Sequence, residues 1–490
     1  MNKSKIVLLA ACLFTLCAGL FARGDTYIYN FWDEIEKSPD TYRVSHVFYA
    51  NDLKLDTPLK NPTSLFAYGN SMYLCDTDNN RIIEFEYTEN KTLVPLRVID
   101  QVNPSPLIEN NRFSAPQDIF ICEDGTMLIA DTDNGRVLKV DNDLNLIDVI
   151  TEPDDPTYEK DKAFLPTKVI ADPKGRIYIL SKNVNKGFIK YEYDGEFKGY
   201  YGATRVMVNA ADRLWKKFAT EAQKARMVLF VPTEYSNCYM DNEGFIYAVT
   251  KSFQEWDLHS GKAKPLRRLN ALGNDILVNN GYEPPIGDLE WSNAAGIKGS
   301  SKFVDVTVLD NEVYLALDET RGRIFAYNNQ GYLLFAFGGR GNVDGFFRKP
   351  ASLEHIGKDL FVVDSTNAAI TVFTPTDYGN LIYKATEQFA VGAYDDSADT
   401  WSKVLALNGN YDLAYIGLGK SYLRQKKYKE AMDYFKLKRD SLDYSKAFKY
   451  YRKEWIEANF GWIAAIVIAL IVIPLIVRWV KFIRWEIKSL

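Results

Sequence analysis

A sequence unit recurs along this chain, and a repeated unit constrains the fold more strongly than any local propensity. Its clearest copy begins at Ala115 with a short apolar run, which is followed by the tight turn Glu123-Asp124-Gly125 and a second apolar run. The polar loop Asp131-Thr132-Asp133-Asn134-Gly135-Arg136 and a third apolar run complete it. Residues 61–87 repeat the same order. Short apolar runs between tight polar turns are typical of antiparallel hairpins, so each unit is predicted to form one blade of a β-propeller.

Six such units are recognisable, and they begin near Asn61, Ala115, Leu165, Val231, Lys302 and Lys349. Five have a proline at the entrance of the first run, namely Pro62, Pro116, Pro166, Pro232 and Pro350. Proline cannot donate to a β-ladder, so it is expected where a strand begins. The last unit has only three runs before Pro375, and residues 42–49 are the expected fourth strand. This strand would close the ring and remove its exposed edges.

The loop between the second and third runs carries the spacing Asp-x-x-x-x-Arg, which resembles the NHL repeat. It is present at Asp76 and Arg81, Asp131 and Arg136, and Asp318 and Arg323, and it is eroded at Ser181, Lys251 and Asp364. The resemblance implies a mainly β fold, with a six-bladed NHL-type propeller over residues 23–376. For the Asp and Arg residues themselves, stabilisation of the loop is favoured over ligand binding.

Both ends of the chain carry apolar segments. Residues 1–22 are typical of a signal peptide, with Lys3 and Lys5 ahead of an apolar stretch; a lipoprotein box ending at Cys12 is the alternative. Residues 460–480 are long and apolar enough for one transmembrane helix. Basic residues in the tail 481–490 place that tail in the cytoplasm by the positive-inside rule. A single-pass cell-membrane protein with its bulk outside the cytoplasm is therefore expected.

Residues 377–456, between propeller and membrane, resemble a short tetratricopeptide (TPR) module. Residues 381–410 match one pair of helices, and residues 411–440 match a second pair. Gly419, Ala431 and Phe435 occupy the small and aromatic positions at which such helices pack. The resemblance implies a helical module that docks another protein.

Composition excludes several classes of function. The net charge is −5 and no basic cluster lies outside the tail, which argues against nucleic-acid binding. Beyond the signal segment only Cys75, Cys122 and Cys238 remain, and an odd number of strand cysteines is no disulfide framework. The three histidines show no metal-ligand spacing.

Two groups of residues are candidates for function. The first stands two positions past the prolines, or at the equivalent position of unit 5, which lacks the proline. It would ring one mouth of the channel, and its members are Ser64, Asp118, Lys168, Glu234, Asp305 and Ser352. Asp118, Glu234 and Asp305 could hold a hard cation such as Ca²⁺, whereas Lys168 could simply neutralise them. No other cofactor is indicated.

The second group lies on the loops between units, which lengthen on one face only. These loops cover residues 100–114, 151–164, 203–230, 273–301 and 339–348, with a helix predicted near 207–228. Long loops on a rigid scaffold are where binding is expected. The candidates for a partner surface are Arg112, Tyr158, Arg205, Trp215, Tyr282, Trp291 and Arg340.

Taken together, the segments resemble membrane-anchored bacterial NHL proteins, often gluconolactonase-like, that are encoded beside ABC-transporter permeases. The resemblance implies a non-enzymatic binding and scaffold protein accessory to an ABC transporter. Its partners would be a permease or a solute-binding protein, with carbohydrate as a possible ligand. The alternative is a metal-dependent lactonase or lyase at the channel mouth.

Overall fold

The computed structural model describes residues 26–32, 34–158, 162–203, 234–251, 253, 255–280, 284–289 and 299–489. The chain divides into two compact units, one ending at Tyr383 and the other covering residues 384–490. The predicted signal peptide at 1–22 and the predicted helix at 207–228 lie outside the described residues.

The first compact unit is a β-propeller of antiparallel sheets. Before the repeats come β1 (Tyr27–Tyr29), β2 (Ile35–Lys37) and β3 (Tyr42–Tyr49). Repeat unit 1 forms β4 (Pro62–Tyr68), β5 (Ser71–Asp76), β6 (Arg81–Tyr87) and β7 (Leu93–Ile99). Unit 2 forms β8 (Pro116–Ile121), β9 (Met127–Asp131), β10 (Arg136–Val140) and β11 (Leu146–Ile150). Unit 3 forms β12 (Pro166–Ala171), β13 (Ile177–Ser181), β14 (Phe188–Tyr191) and β15 (Phe197–Tyr201).

The remaining units depart further from the common plan. Unit 4 forms β16 (Asn237–Met240), β17 (Ile246–Val249), α1 (Glu255–His259) and β18 (Leu266–Leu269). Unit 5 forms β19 (Phe303–Val308), β20 (Tyr314–Asp318), β21 (Arg323–Tyr327) and β22 (Leu333–Arg340), and β23 (Phe346–Phe347) follows it. Unit 6 forms β24 (Pro350–Ile356), β25 (Asp359–Asp364) and β26 (Ala369–Pro375).

Units 1, 2, 3, 5 and 6 each contribute to a blade of four antiparallel strands, whereas unit 4 has three strands among the described residues. The expected six four-stranded blades are therefore corrected to five. The first described strand of unit 4 begins at Asn237, and the predicted start of this unit near Val231 lies outside the described residues. Pro62, Pro116, Pro166 and Pro350 begin strands as predicted, and Pro232 lies outside the described residues.

The N-terminal strand β3 completes the blade of unit 6. It runs antiparallel along β26, with Tyr42 opposite Pro375 and Phe48 opposite Ile370. The preceding hairpin of β1 and β2 joins the outer edge of unit 5, where Tyr27 lies opposite Ala336 of β22. The N-terminal segment therefore contributes strands to two neighbouring sheets.

Apolar residues fill the spaces between neighbouring sheets, because the inner strands are covered on both faces. One cluster joins units 6 and 1 and contains Leu74, Ile83 and Phe361. Similar clusters join each consecutive pair from unit 1 to unit 5. Between units 5 and 6 the packing is aromatic, and Tyr42 stacks on Phe337 with ring centroids 4.8 Å apart. This shared burial is the main favourable contribution to the stability of the ring.

The second compact unit is helical. After α2 (Asp377–Ala390), which crosses the boundary between the units, come α3 (Tyr394–Leu407), α4 (Asp412–Arg424), α5 (Tyr428–Leu437) and α6 (Ser441–Ser489). A Cβ atom on Gly417 would lie 2.5 Å from Trp401, and one on Gly419 would lie 2.6 Å from Phe435, so these glycines permit close helix packing. The helix α6 is long and apolar enough to cross a membrane, with a mean hydropathy of 2.9 in its most apolar window.

The Asp-x-x-x-x-Arg motif holds the start of the blade in units 1 and 2. Asp131 accepts hydrogen bonds from Arg136 Nε at 2.8 Å and from the Ser114 N–H, which precedes the first strand, at 2.7 Å. Asp76 plays the same part with Arg81 and the Lys60 N–H. In unit 5, by contrast, Arg323 pairs with Asp288 of the preceding loop. In units 1 and 2 the motif thus ties the segment before the first strand to its own blade.

We predict that Arg136→Met lowers the free energy of unfolding by about 3–5 kcal/mol, because it removes the cation that pairs with the fully buried Asp131 carboxylate. Arg112→Met is the matched control. Arg112 pairs with Asp100 at 3.3 Å and both side chains are more than half exposed, so its loss should cost less than about 1 kcal/mol. Urea unfolding of the purified chain, followed by circular dichroism, measures both. Equal midpoints would show that the motif does not stabilise the blade.

Candidate functional site

One buried residue from the first strand of each repeat unit faces the central channel, and together they form a ring that we call the belt. The belt consists of Ser64, Asp118, Lys168, Asn237, Asp305 and Ser352. All six are at most 9% exposed. Buried polar groups must find partners within the protein, so the hydrogen bonds of the belt determine what else it could bind.

Asp118 of unit 2 accepts hydrogen bonds from residues of units 1 and 3. Its Oδ1 accepts from Ser64 Oγ at 2.7 Å and from Lys168 Nζ at 2.9 Å, and its Oδ2 accepts from the Val169 N–H at 2.9 Å. Burial lowers the pKa of Lys168, but the negative charges of Asp118 and Asp305 outweigh burial and raise that pKa overall. Lys168 is therefore a fixed cation within the belt.

Asp305 plays the equivalent part for units 5 and 6. Its Oδ2 accepts from Ser352 Oγ and from the Leu353 N–H, each at 2.8 Å, while its Oδ1 accepts from the Val306 N–H at 2.9 Å. Ser352 Oγ in turn accepts from the Leu65 N–H of unit 1 at 3.0 Å. Hydrogen bonds of the belt therefore connect units 5, 6, 1, 2 and 3 in that order around the channel.

The belt differs from the predicted ring of carboxylates. Asp118, Lys168 and Asp305 come together in it, but Glu234 is exposed and precedes β16, and Asn237 occupies its place. In this unit the belt residue lies five positions after the proline in sequence, whereas the prediction placed it two positions after. Among the described residues, no group of three or more His, Cys, Asp or Glu side chains could hold a metal ion. The oxygens of Asp118 and Asp305 accept protein hydrogen bonds that a cation would have to displace.

Beyond the belt, on the side of the tight turns between first and second strands, the channel widens into a cavity of about 760 Å³. We call it the turn-face cavity. Asp118, Lys168 and Asp305 are part of its lining, and exposed residues of two turns, Glu123 and Lys174, lie at its rim. A cavity of this size accommodates a small ligand.

Aromatic side chains line this cavity. Phe66, Phe120 and Tyr239 each stand two residues beyond a belt residue, and alternate residues of a strand point to the same face. The rings of Phe66 and Phe120 pack with centroids 4.9 Å apart. Tyr68 and Tyr193 stand nearer the rim, with exposures of 42% and 68%. These rings provide flat apolar surfaces that remain open to a ligand.

The charged lining of the turn-face cavity is predominantly acidic. Carboxylates come from Asp118, Glu123, Asp124, Asp172, Asp241, Asp305 and Glu354, and ammonium groups come from Lys139, Lys168 and Lys174. Deep in the wall, Glu354 accepts from Thr307 Oγ1 at 3.2 Å and from the His355 N–H at 2.9 Å. Several acceptor groups therefore surround the aromatic surfaces, an arrangement suited to a polar ligand with many hydroxyl or amine donors.

The residues predicted for partner binding on the long loops differ in their exposure to solvent. Arg112 and Arg340 are exposed, as a docking surface requires. Tyr158 is only 4% exposed and packs in the core between units 2 and 3, so its prediction as a surface residue is corrected. Its aromatic ring is buried with the apolar residues of the two blades. Arg205, Trp215, Tyr282 and Trp291 lie outside the described residues.

The turn-face cavity was not predicted from the sequence. Binding was expected on the long loops, and the turns on this face are short. A signal was nevertheless present. The positions two residues after the belt are Phe66, Phe120, Ile170, Tyr239, Thr307 and Glu354, and strand alternation places them on the channel side of the same strands. Three aromatic residues in six such positions mark a second ring above the belt.

No protein-family model matches this chain, and no curated protein matches it. Among solved structures, virginiamycin B lyase from Staphylococcus aureus is similar over 71% of this chain and 87% of its own, at 10% identity and a TM-score of 0.38. A protein of unknown function from Bacteroides thetaiotaomicron is similar over 66% and 71% respectively, at 9% identity and a TM-score of 0.41. At this level of similarity, neither structure carries an argument about activity.

Burial raises the pKa of Asp305 to about 6, against an ordinary value of 3.8, although Lys168 opposes the shift. Between about pH 4 and pH 6 the folded protein therefore keeps a proton that the unfolded chain releases. The contribution of Asp305 to stability is fully present below pH 4 and is lost as the pH rises through about 6.

We predict that Asp305→Asn, which has no such titration, gains thermal stability relative to the original protein as the pH rises from about 4 to about 7. Melting temperatures of the two proteins across this range, in buffers of equal ionic strength, measure the difference. Parallel curves would show that Asp305 does not titrate in this window.

Proposed function

We propose that this protein is a membrane-anchored binding protein whose propeller captures a polar ligand in the turn-face cavity. One observation carries the proposal: a buried, hydrogen-bonded belt borders a cavity of about 760 Å³ that is lined by aromatic rings and carboxylates. The belt is held by interactions between blades, so the lining is preorganised. Preorganisation favours binding because little conformational freedom is lost when a ligand enters.

Carbohydrate is the ligand class that we favour. A sugar ring has apolar faces that pack on aromatic rings, and its hydroxyl groups donate to carboxylates. Tyr68 and Tyr193 offer exposed rings near the rim, and Glu123 and Asp124 offer exposed carboxylates in the neighbouring turn. Orienting polar groups around an apolar surface are typical of small-molecule sites.

A metal-dependent lactonase or lyase is the alternative, and we rank it second. Such an enzyme needs a set of carboxylate or histidine ligands that converge on one point. The carboxylates of Asp118 and Asp305 are instead engaged by Lys168, by Ser352 and by backbone N–H groups. His355, the histidine nearest this wall, shares its Nδ1 with Thr307 at 2.7 Å.

We further propose that the three-stranded sheet of unit 4 is the sixth blade of an NHL-type propeller. Core clusters pack it against unit 3 through Cys238 and Ile246, and against unit 5 through Tyr247 and Val249. The helices α3 to α5 would then form the TPR-like module that docks a second protein. Gly417 and Gly419, where helices pack closely, support that comparison.

We propose that the protein is located in the cell membrane, with the propeller outside the cytoplasm. Residues 1–22 would be the leader that directs its export, either cleaved as a signal peptide or lipidated at Cys12. Arg478, Lys481, Arg484 and Lys488 follow the apolar part of α6 and favour a cytoplasmic C-terminus. Partners of an accessory protein at this location would be an ABC-transporter permease or a solute-binding protein. The exposed Arg112 and Arg340 make the long-loop face the second candidate surface.

We predict that neutral oligosaccharides bind the purified chain and that Tyr193→Ala and Tyr68→Ala each weaken this binding about tenfold, because each removes a ring from the cavity. Tyr49→Ala is the matched control, since Tyr49 is similarly exposed at 46% but does not line the cavity. Isothermal titration calorimetry with a panel of oligosaccharides provides the affinities. Hydrolysis of a lactone, lost on chelation, would favour the enzymatic alternative instead.

For the partner and the orientation, we predict that a membrane-impermeant lysine cross-linker added to intact cells joins the propeller to a permease or a solute-binding protein. Charge reversal at Arg112 and Arg340 together should lower the yield at least fivefold if the long-loop face docks the partner. Lys174→Glu, on the opposite face, should leave the yield unchanged. Failure of the cross-linker to reach the propeller would contradict the orientation, and recovery of the chain alone would contradict the partner.

A further inference from the structure

A second, smaller chamber lies on the other side of the belt, where the first strands begin. Its volume is about 190 Å³, and we call it the loop-face chamber. Among the described residues its charged lining consists of Lys168, Lys251, Lys349 and Glu319. The loop-face chamber is therefore predominantly basic, whereas the turn-face cavity is predominantly acidic.

The three lysines are not equally neutralised. Lys168 is committed to Asp118 at 2.9 Å and contributes little net charge. Lys251 lies 3.8 Å from Glu319 with its side chain about half exposed, a separation at which the pair is weak. Lys349 forms no ion pair with any residue of the described chain, and its side chain is exposed at the chamber mouth. Positive charge therefore remains available to a ligand.

Uncharged side chains of the loop-face chamber provide further hydrogen-bond donors beside the lysines. Asn237 Oδ1 accepts from the Cys238 N–H at 2.8 Å, which leaves the amide NH₂ of Asn237 to donate. Gln117 lines the same space, and its side-chain amide makes no hydrogen bond within the described residues. The hydroxyl protons of Thr167 and Ser236 are already donated to backbone carbonyls. The unused donors are thus ammonium and amide N–H groups.

We propose that the loop-face chamber binds a small oxyanion, meaning a phosphate, sulfate or carboxylate group that is either free or the terminal group of a larger solute. Ammonium groups form their strongest hydrogen bonds with such anions, and amide donors add direction. This inference is independent of the ligand proposed for the turn-face cavity, because the belt lies between the two spaces. A ligand on one side could bind whether or not the other side is occupied.

The test is isothermal titration calorimetry of the full chain in detergent with sodium phosphate, sodium sulfate and sodium acetate, against sodium chloride at equal ionic strength. Saturable binding of at least one oxyanion is expected. Lys349→Gln should weaken it about tenfold and Lys251→Gln about threefold. Lys174→Gln is the matched control, because Lys174 is an exposed lysine that lines the turn-face cavity instead; its affinity should stay within twofold.

Glucose 6-phosphate distinguishes the two sources of the anion. Tighter binding than inorganic phosphate, lost in Lys349→Gln, would indicate the terminal group of a larger solute, and equal binding would indicate a free ion. Absence of saturable binding to every oxyanion, or an equal loss in Lys174→Gln, would overturn the proposal. Oligosaccharide binding should be unchanged in Lys349→Gln, so that failure of this inference and failure of the proposed function are separate results.

Discussion

The pairing of β3 with β26 is the interaction on which the rest of the propeller depends. It joins Tyr42 to Pro375 and Tyr49 to Ala369, so residues from opposite ends of the propeller sequence share one sheet. The same strand packs Phe48 into the core between units 6 and 1 and stacks Tyr42 on Phe337 of unit 5. One strand therefore holds three repeat units together. Without it, β26 would present an unpaired edge, and the cores on either side of unit 6 would lose Tyr42 and Phe48.

The closed ring encloses a channel. The polar residues that line this channel determine what it could bind. Buried carboxylates are tolerated there because each accepts several hydrogen bonds, as Asp118 does from Ser64 and Lys168. The resulting belt separates an acidic, aromatic cavity from a small basic chamber. These two spaces of opposite character are the observations that support the proposed binding of solutes.

Much of the fold could be predicted because hairpins are local. Pro62, Pro116 and Pro166 begin strands as their chemistry requires, and the Asp131–Arg136 spacing closes a loop within one blade. The prediction failed where local signals misled. Alignment on Pro232 predicted Glu234 in the channel ring, where Asn237 lies instead, and Tyr158 was predicted at the surface although it is buried in a core between blades. The length of a loop does not reveal which of its side chains pack against the blades.

The sequence by itself determined the hairpin repeat, the residues 42–49 as a further strand, and an apolar segment within α6 that is long enough to cross a membrane. Each of these depends on neighbours a few residues apart. Only the tertiary structure decided which polar side chains meet. Ser64 and Asp118 are 54 residues apart in sequence, and Leu65 and Ser352 are 287 apart, yet each pair shares a hydrogen bond. The first contact exists only once units 1 and 2 pack side by side, and the second only after the ring has closed, because closure alone brings the first strands of units 1 and 6 together.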